Sequence, residues 1–489
     1  MEAFLHPLQG LAEFEEIKKR CGANCGILNV SGCMESQKVH LMYGLSGLFP
    51  YHLILADDER NAKEIYEDYR FYDKNVYFYP AKDLLFFQAD IHGNLLIRQR
   101  MRVIRALLEQ EEVTVVTSID GCMDFLMPLE KIRSRLLHFK SDSVIDLDQL
   151  KEELVELGYE RTGQVELPGQ FSVRGGIIDI YPLTEDNPWR IELWDDEVDS
   201  IRSFDAESQR SLENVDEITI YPAAEKMDGE DMVSFLDYFP EEKTLVFLDE
   251  LNHLAENGEG VEEEYRQSRM HREEKGEANL PEQWICGFQE LQKKLNRRNC
   301  VAVSALSPRR SGWKINEEFD LTVKSVDSYN SSFELLVKDL LQYKSQGYRI
   351  ALLSGSRTRA ERLAKDLSEE GLNAFYSQDM DRIISPGEIM VVYGHARRGF
   401  QYPLIKFAVM TETDIFGKEQ KKRKKKKKYS GNRIQDFAEL SIGDLVVHEK
   451  HGLGIYRGIE KVEVDRVVKD YIKIEYRGGS NLYILATQL

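Results

Sequence analysis

The 489 residues carry 65 basic and 85 acidic side chains, a formal net charge of −20. That length exceeds what one hydrophobic core supports and predicts three to five domains, while 42% hydrophobic and 10% aromatic content excludes wholesale disorder. The charge balance makes a poor general DNA-coating surface, because phosphate affinity comes largely from counterion release by lysine and arginine, and it suits a protein that docks other proteins.

The opening stretch, MEAFLHPLQGLAEFEEIKKR, lacks a basic region followed by an apolar core, so no signal peptide is expected. No run approaches the ~18 apolar residues of a membrane helix, and a soluble, cytoplasmic protein without a membrane partner is expected. Residues 1–127 alternate buried strands (YHLILA, NVYFYP, VTVVTS) with segments of helical period (DDERNAKEIYEDYRFY, LLIRQRMRVIRALLEQ). This βαβ rhythm implies a parallel sheet flanked by helices. Residues 128–221 change texture: a short helix, LDQLKEELVELGY, precedes strands punctuated by Gly, Pro and Asn-Pro, which predicts an α+β insertion with mostly antiparallel pairing.

The α/β texture returns in 222–315, where KTLVFLDELNHL is a strand ending in two carboxylates, followed by a polar helix. Residues 316–413 (FELLVKDLLQYKSQGY, RIALLSG, SRTRAERLAKDLSEEG, EIMVVYG) predict a second small α/β domain. Residues 414–438 contain eight consecutive basic residues, Lys421 to Lys428, without which the body would carry 57 basic against 85 acidic residues. Like charges in a row repel and extend, so with Gly417 before them and Ser430-Gly431 after them they read as a basic flexible linker, incidental phosphate contact being the alternative. Residues 439–489 alternate with period two and predict a small all-β barrel.

No motif makes catalysis visible. A phosphate-cradling loop needs glycines and then Lys-Ser/Thr at a helix start; ILNVSGCMESQKVHLMYG offers Gly32 and Lys38 but no Gly-Lys-Ser/Thr. Asp249-Glu250 resembles the magnesium-holding half of such a site, leaving open a decayed ATPase site, an ordinary strand end or a live site. The six cysteines form no CxxC pair and read as buried thiols rather than zinc ligands. His448 and His451 lack a third ligand nearby and read as turn and packing residues. In LSGSRTRAERL, Ser354, Gly355 and Ser356 fit an anion cradle or a plain helix cap equally well.

Two surfaces are more informative. Alternation in PWRIELWDDEV puts Ile191 and Leu193 on one face and Arg190, Glu192 and Trp194 on the other, with Arg174 at a nearby Gly-Gly step. Arg and Trp together resemble an interface hot spot, though a Trp covering the rim of the core remains open. GIEKVEVDRVVKDYIKIEY reads as a hairpin whose first strand, Ile459 to Val464, is either an open edge for a partner's strand or covered by the preceding domain.

PGQFSVRGGIIDIYP…WRIELWDDEVDSIRSFDAESQRSL resembles the insertion domain shared by the bacterial transcription-repair coupling factor (Mfd) family and the excision-repair protein UvrB. GDLVVHEKHGLGIYRGIEKVEVDR…DYIKIEYRGGSNLYI is similar to the RNA-polymerase-interacting domain that this family shares with CarD-type regulators. Both in this order, with TETDIFG between them, point to the coupling-factor family over essentially the whole chain. The resemblance implies a multidomain α/β protein: a UvrB-like, degenerate ATPase-type α/β domain (1–127 and 222–315), the α+β insertion, the second small α/β domain, and a C-terminal Tudor/SH3-like barrel. It implies that UvrA is bound through Arg174, Arg190 and Trp194, with Trp as the aromatic. It implies that the RNA polymerase β subunit is bound by strand pairing at Ile459, Glu460, Lys461, Val462, Glu463 and Val464, centred on Val462. The 17 residues between Pro80 and Arg98 are too few for UvrB's DNA-clamping hairpin.

The resemblance further implies that ATP and Mg²⁺ chemistry, DNA translocation and most DNA contact belong to motor domains not found before Leu489. A fragment or truncated product with no catalytic residue, metal or cofactor of its own is therefore expected. In the intact family, the motor displaces polymerase stalled at lesions while this portion recruits nucleotide excision repair. Two other readings stay open: a UvrB-like ATP-dependent damage-processing enzyme, and a CarD-like regulator gripping DNA through the lysine run.

Overall fold

Continuous apolar runs build the central sheet. A computed structural model describes residues 1–22, 25–82, 93–224, 232–275, 285–308, 312–417, 443–448, 452–464, 467–475 and 481–485. Seven parallel strands lie in the order 315–320, 27–31, 300–303, 244–249, 51–56, 113–118 and 76–79. The strands Ile27–Ser31, Val113–Ser118 and Thr244–Asp249 are buried at every residue, as expected of a parallel sheet covered on both faces. The sheet draws on both sides of the insertion. One compact unit holds Met1–Lys82, Arg98–Glu262 and Pro281–Gln420, and a second holds Asp83–Ile97, Glu263–Leu280 and Lys421–Leu489.

Within the first unit, the insertion forms a six-stranded sheet in the order 211–215, 197–204, 189–194, 177–180, 170–174 and 160–161. Its ladders are antiparallel apart from Glu160–Arg161 against Gln170–Phe171. The helix Leu147–Glu156 starts at Asp146, whose carboxylate accepts from the amides of Asp148 and Gln149, the usual N-cap arrangement. Its Leu150 and Leu154 meet Phe171, Ile178, Ile180 and Ile191 in a closed core. Arg98 and Arg102 reach the Asp186 carboxylate at 2.8 and 2.6 Å, and Arg105 pairs with Glu185. These contacts tie the insertion to the helix Gly93–Glu109.

A third sheet, in the order 324–325, 400–402, 407–411, 349–354, 388–393 and 373–376, is parallel over its last four strands. One of its faces (Ala351, Leu353, Met390, Val409) shares a core with Phe4, Val39 and Tyr72 of the N-terminal helices. His40 lies in this shared core. The Gln37 amide donates to the Tyr402 oxygen at 3.0 Å, and His40 Nδ1 and Nε2 lie 3.1 Å from the Tyr402 hydroxyl and 3.0 Å from the Phe4 carbonyl. A neutral ring with its proton on Nε2 donates to the Phe4 carbonyl and accepts from the Tyr402 hydroxyl. Asp68, also buried, accepts from Ser36 at 2.7 Å and from the Arg397 amide at 3.0 Å.

In the second unit, Leu445–His448, Gly452–Val464, Val467–Glu475 and Asn481–Leu485 form an antiparallel meander. Among the described residues its first and last strands do not pair. All six cysteines are free thiols. Among the described residues no helix is long and apolar enough to cross a membrane, and no group of three or more His, Cys, Asp or Glu could hold a metal.

Burial pulls His40 and His52 down to about 4. A folded-state value below the unfolded one means stability is fully present above about pH 6.5 and lost as pH falls toward 4. Urea unfolding of the whole chain will lose about 3 kcal/mol over this range through His40 alone. His40→Gln will flatten the pH slope by that amount whatever its effect at neutral pH.

Candidate docking surfaces

The outer face of the insertion sheet is organised by one buried carboxylate. Ser172, Asp179, Arg190, Arg202 and Asn214 stand side by side in register across five strands. Asp179 is fully buried, and an unpaired charge there would cost several kcal/mol. Arg190 answers it with a two-pronged contact at 2.6 and 2.9 Å, and Arg174 adds one at 2.8 Å. Arg190 also donates to Gln209 at 3.0 Å and lies 4.3 Å over the Phe204 ring. Its guanidinium is therefore held from several sides.

Arg174 and Arg190 share a carboxylate but differ in access, with side chains 48% and 13% exposed. Trp194, on the same face four residues beyond Arg190, is 81% exposed. The alternation persists along the strand because the irregularity opposite Glu192 and Leu193 places its extra residue, Asp199, on the neighbouring strand. Trp194 thus stands outside the core rather than at its rim. Between them Glu192 accepts from Arg202, which holds its carboxyl below the ordinary range. The face presents a half-free guanidinium, a neutralised ion pair and a bare indole.

In the second unit, the strand Gly452–Val464 pairs with Leu445–His448 only through Gly452–Ile455, whereas its ladder with Val467–Glu475 continues to Val464. A bulge at Arg457, followed by Gly458 at φ 110°, marks the change. Beyond it, Ile459 to Val464 are paired on one side, and among the described residues no strand lies on the other. Such an edge carries unpaired amides and carbonyls available to another strand.

The turn after Ile27–Ser31 does not fit a nucleotide. Its amides are bonded internally: Gly32 to the Ala305 carbonyl, Cys33 to that of Ser304, Met34 to the Gln37 side chain, and Gln37 and Lys38 to the Met34 carbonyl. Lys38 donates to Asp249 at 2.7 Å and to Glu250 at 2.6 Å, and Asn61 donates to Asp249 at 2.7 Å. Burial disfavours the ammonium, but the two carboxylates outweigh it and hold Lys38 above its ordinary range. Val39, fully buried, stands where a metal-binding hydroxyl is needed. At the second candidate cradle, Glu412 accepts from Ser354 at 2.5 Å and from Arg359 at 3.1 Å. The chain's own carboxylate takes the place of an anion there.

The UvrB interaction domain model matches residues 137–225, and the CarD-like/TRCF RID domain model matches 440–489. The transcription-repair-coupling factor of Bacillus subtilis (strain 168) is 29% identical over 94% of this chain and 45% of its own length. Those of Staphylococcus aureus (strain MRSA252) and Staphylococcus epidermidis are 27% and 28% identical over 85% and 89% of this chain. The chain is similar to the N-terminal part of the transcription-repair-coupling factors. It spans under half the length of these curated relatives, 45%, 40% and 42%.

The UvrB interaction domain match contains Arg174, Arg190 and Trp194, and the CarD-like/TRCF RID match contains Ile459 to Val464. The lysine run, His451 and the residues between Lys82 and Gly93 lie outside the described residues. Two roles were missed in the sequence. Asp179 gave no signal beyond its place in an apolar run. Lys38 gave one, since its six-residue distance from Gly32 equals the spacing of a phosphate loop. Asp179→Asn will leave two guanidinium groups around an uncharged amide and destabilise the insertion by about 3 kcal/mol or more, read as an earlier transition in thermal unfolding of the whole chain.

Proposed function

We propose that this chain is the adaptor portion of a transcription-coupled nucleotide excision repair factor. It joins UvrA, held on the insertion sheet's outer face, to the RNA polymerase β subunit, held along the edge of Ile459–Val464. The observation that carries the reading is the coexistence, in one chain, of a UvrB interaction domain and a CarD-like/TRCF RID domain in the order found in the coupling factors.

The geometry supports specific roles. Trp194 and the free side of Arg174 are accessible to UvrA, so they make direct contact. Arg190 is mostly covered and acts largely by holding Asp179 and the strand register. At the other site, an edge open along one side suits addition of a β-subunit strand, with main-chain bonds supplying affinity and alternate side chains, Val462 central among them, supplying selectivity. The terminal meander closes into a small barrel on this reading.

The α/β body is a degenerate ATPase-type domain that holds no ATP, magnesium or other cofactor. Its lysine is held between the two carboxylates, and the amides of Gly32, Cys33 and Met34 are bonded within the chain. In the intact protein, ATP-driven translocation on DNA and displacement of stalled polymerase belong to other domains. The lysine run tethers the two binding modules, and the protein works in the bacterial cytoplasm.

Purified UvrA and the polymerase β subunit test the two halves separately. Trp194→Ala will weaken UvrA binding about thirtyfold, the cost of a truncated aromatic anchor, and leave β-subunit capture unchanged. Val462→Arg will do the reverse. Undiminished UvrA binding by Trp194→Ala contradicts the first assignment, and retained capture by Val462→Arg contradicts the second. Calorimetry with Mg·ATP will give no saturable heat; a binding isotherm would restore the enzyme reading.

A further inference from the structure

The exposed row that begins at Trp194 does not end there. Trp194 and Glu197 are paired across a two-residue turn, and Glu197 is in turn bridged to Val144. Directly opposed residues of neighbouring strands project to the same face. Trp194, Glu197 and Val144 therefore form one row, Trp194 and Val144 about 10 Å apart, two strand spacings. Val144 is 72% exposed. A lone exposed valine means little; a valine in register with an exposed tryptophan, on the face already assigned to a partner, extends that face.

The placement is firm. Asp142 and Ser143 exchange backbone hydrogen bonds with Val198 at 3.0 and 2.9 Å, and the Ile145 amide donates to the Asp196 carbonyl at 2.8 Å. Ile145 turns into the core, and Asp146 caps the following helix. Val144 is thus the outward residue of a segment pinned on both sides. Along the row run Asp195, Asp196 and Glu197, all exposed.

We propose that Val144 is a contact residue of the UvrA-binding face, and that the row Trp194–Glu197–Val144 receives a basic, partly apolar strip of UvrA. This rests on the assignment of that face to UvrA. A lysine or arginine of the strip sets its head on Glu197 with its stem along one apolar end of the row, and a neighbouring apolar side chain of the strip covers the other. The row then adds apolar area and a charge preference that Arg174 and Trp194 alone do not provide.

Binding of UvrA to the whole chain, measured by biolayer interferometry, decides it. Val144→Asp and Glu197→Lys are each expected to weaken binding at least tenfold and Val144→Thr about threefold. Val155→Asp, an exposed valine on the helix Leu147–Glu156, serves as the control and is expected to bind as wild type. Unchanged thermal unfolding keeps a folding defect apart from a binding one. Wild-type affinity for Val144→Asp beside a loss in Trp194→Ala overturns the inference and leaves the face assignment standing. Wild-type affinity for Glu197→Lys overturns the basic strip. Wild-type affinity for both Trp194→Ala and Val144→Asp overturns the face assignment and the inference with it, and an equal loss in Val155→Asp overturns the specificity claimed for the row.

Discussion

The buried carboxylate of Asp179 is the constraint from which the proposed docking face follows. A charge without a partner in a protein interior costs several kcal/mol, and its removal from a satisfied network costs a similar amount. The sheet meets this by bringing guanidinium groups from two other strands onto one carboxylate. A one-residue slip of either strand would lose the contact and turn Phe171 or Ile191 outward. The same pairing that neutralises the charge therefore fixes the register, and the register places Trp194 outside and Val144 beside it. Arg190, locked under this demand, contributes order; Arg174, half in water, contributes reach.

The α/β body obeys the same rule with a different result. Lys38 occupies the place from which a phosphate-binding lysine acts, and Asp249 with Glu250 the place of the acidic pair. With no phosphate between them, opposite charges in a dry site find each other, and the turn's amides close onto carbonyls of the neighbouring strand's end. Reopening this site would require breaking a buried ion pair and several backbone bonds at once. The result is a stable scaffold held by its own charges. Asp68, satisfied by Ser36 and Arg397, serves the scaffold too, linking the first sheet's helices to the segment that precedes the strand Phe400–Tyr402.

How much of this is legible in sequence depends on the range of the interaction. Period-two alternation at Trp189–Trp194 and period 3.6 at Glu59–Tyr72 are local signals, and the structure places those elements where the patterns put them. The outward face of Arg190, Glu192 and Trp194 follows from alternation alone. What alternation cannot give is the bulge at Asp199 on the neighbouring strand, or the bridge from Glu197 to Val144, some fifty positions earlier. Asp179 looks like a polar interruption in an apolar run until the cross-strand arginines are known. Lys38 differs. Its spacing from Gly32 is local, but its partner Asp249, 2.7 Å away, lies some two hundred positions later in the chain.

The two proposed docking surfaces use complementary physics. A sheet edge offers backbone groups, which every strand shares, so it binds readily and discriminates poorly. Of the six residues from Ile459 to Val464 three are charged, a composition that discourages indiscriminate edge pairing, and the bulge at Arg457 bends the strand where its second partner ends. A side-chain face works the other way: Trp194, Arg174 and the acidic turn beside them impose shape and charge on whatever binds. An adaptor needs both qualities in separable places, because a partner that engages one must not occupy the other. The edge lies in one compact unit and the face in the other. A chain built this way gains its specificity from the conjunction of two contacts, each of which alone would be too permissive or too weak.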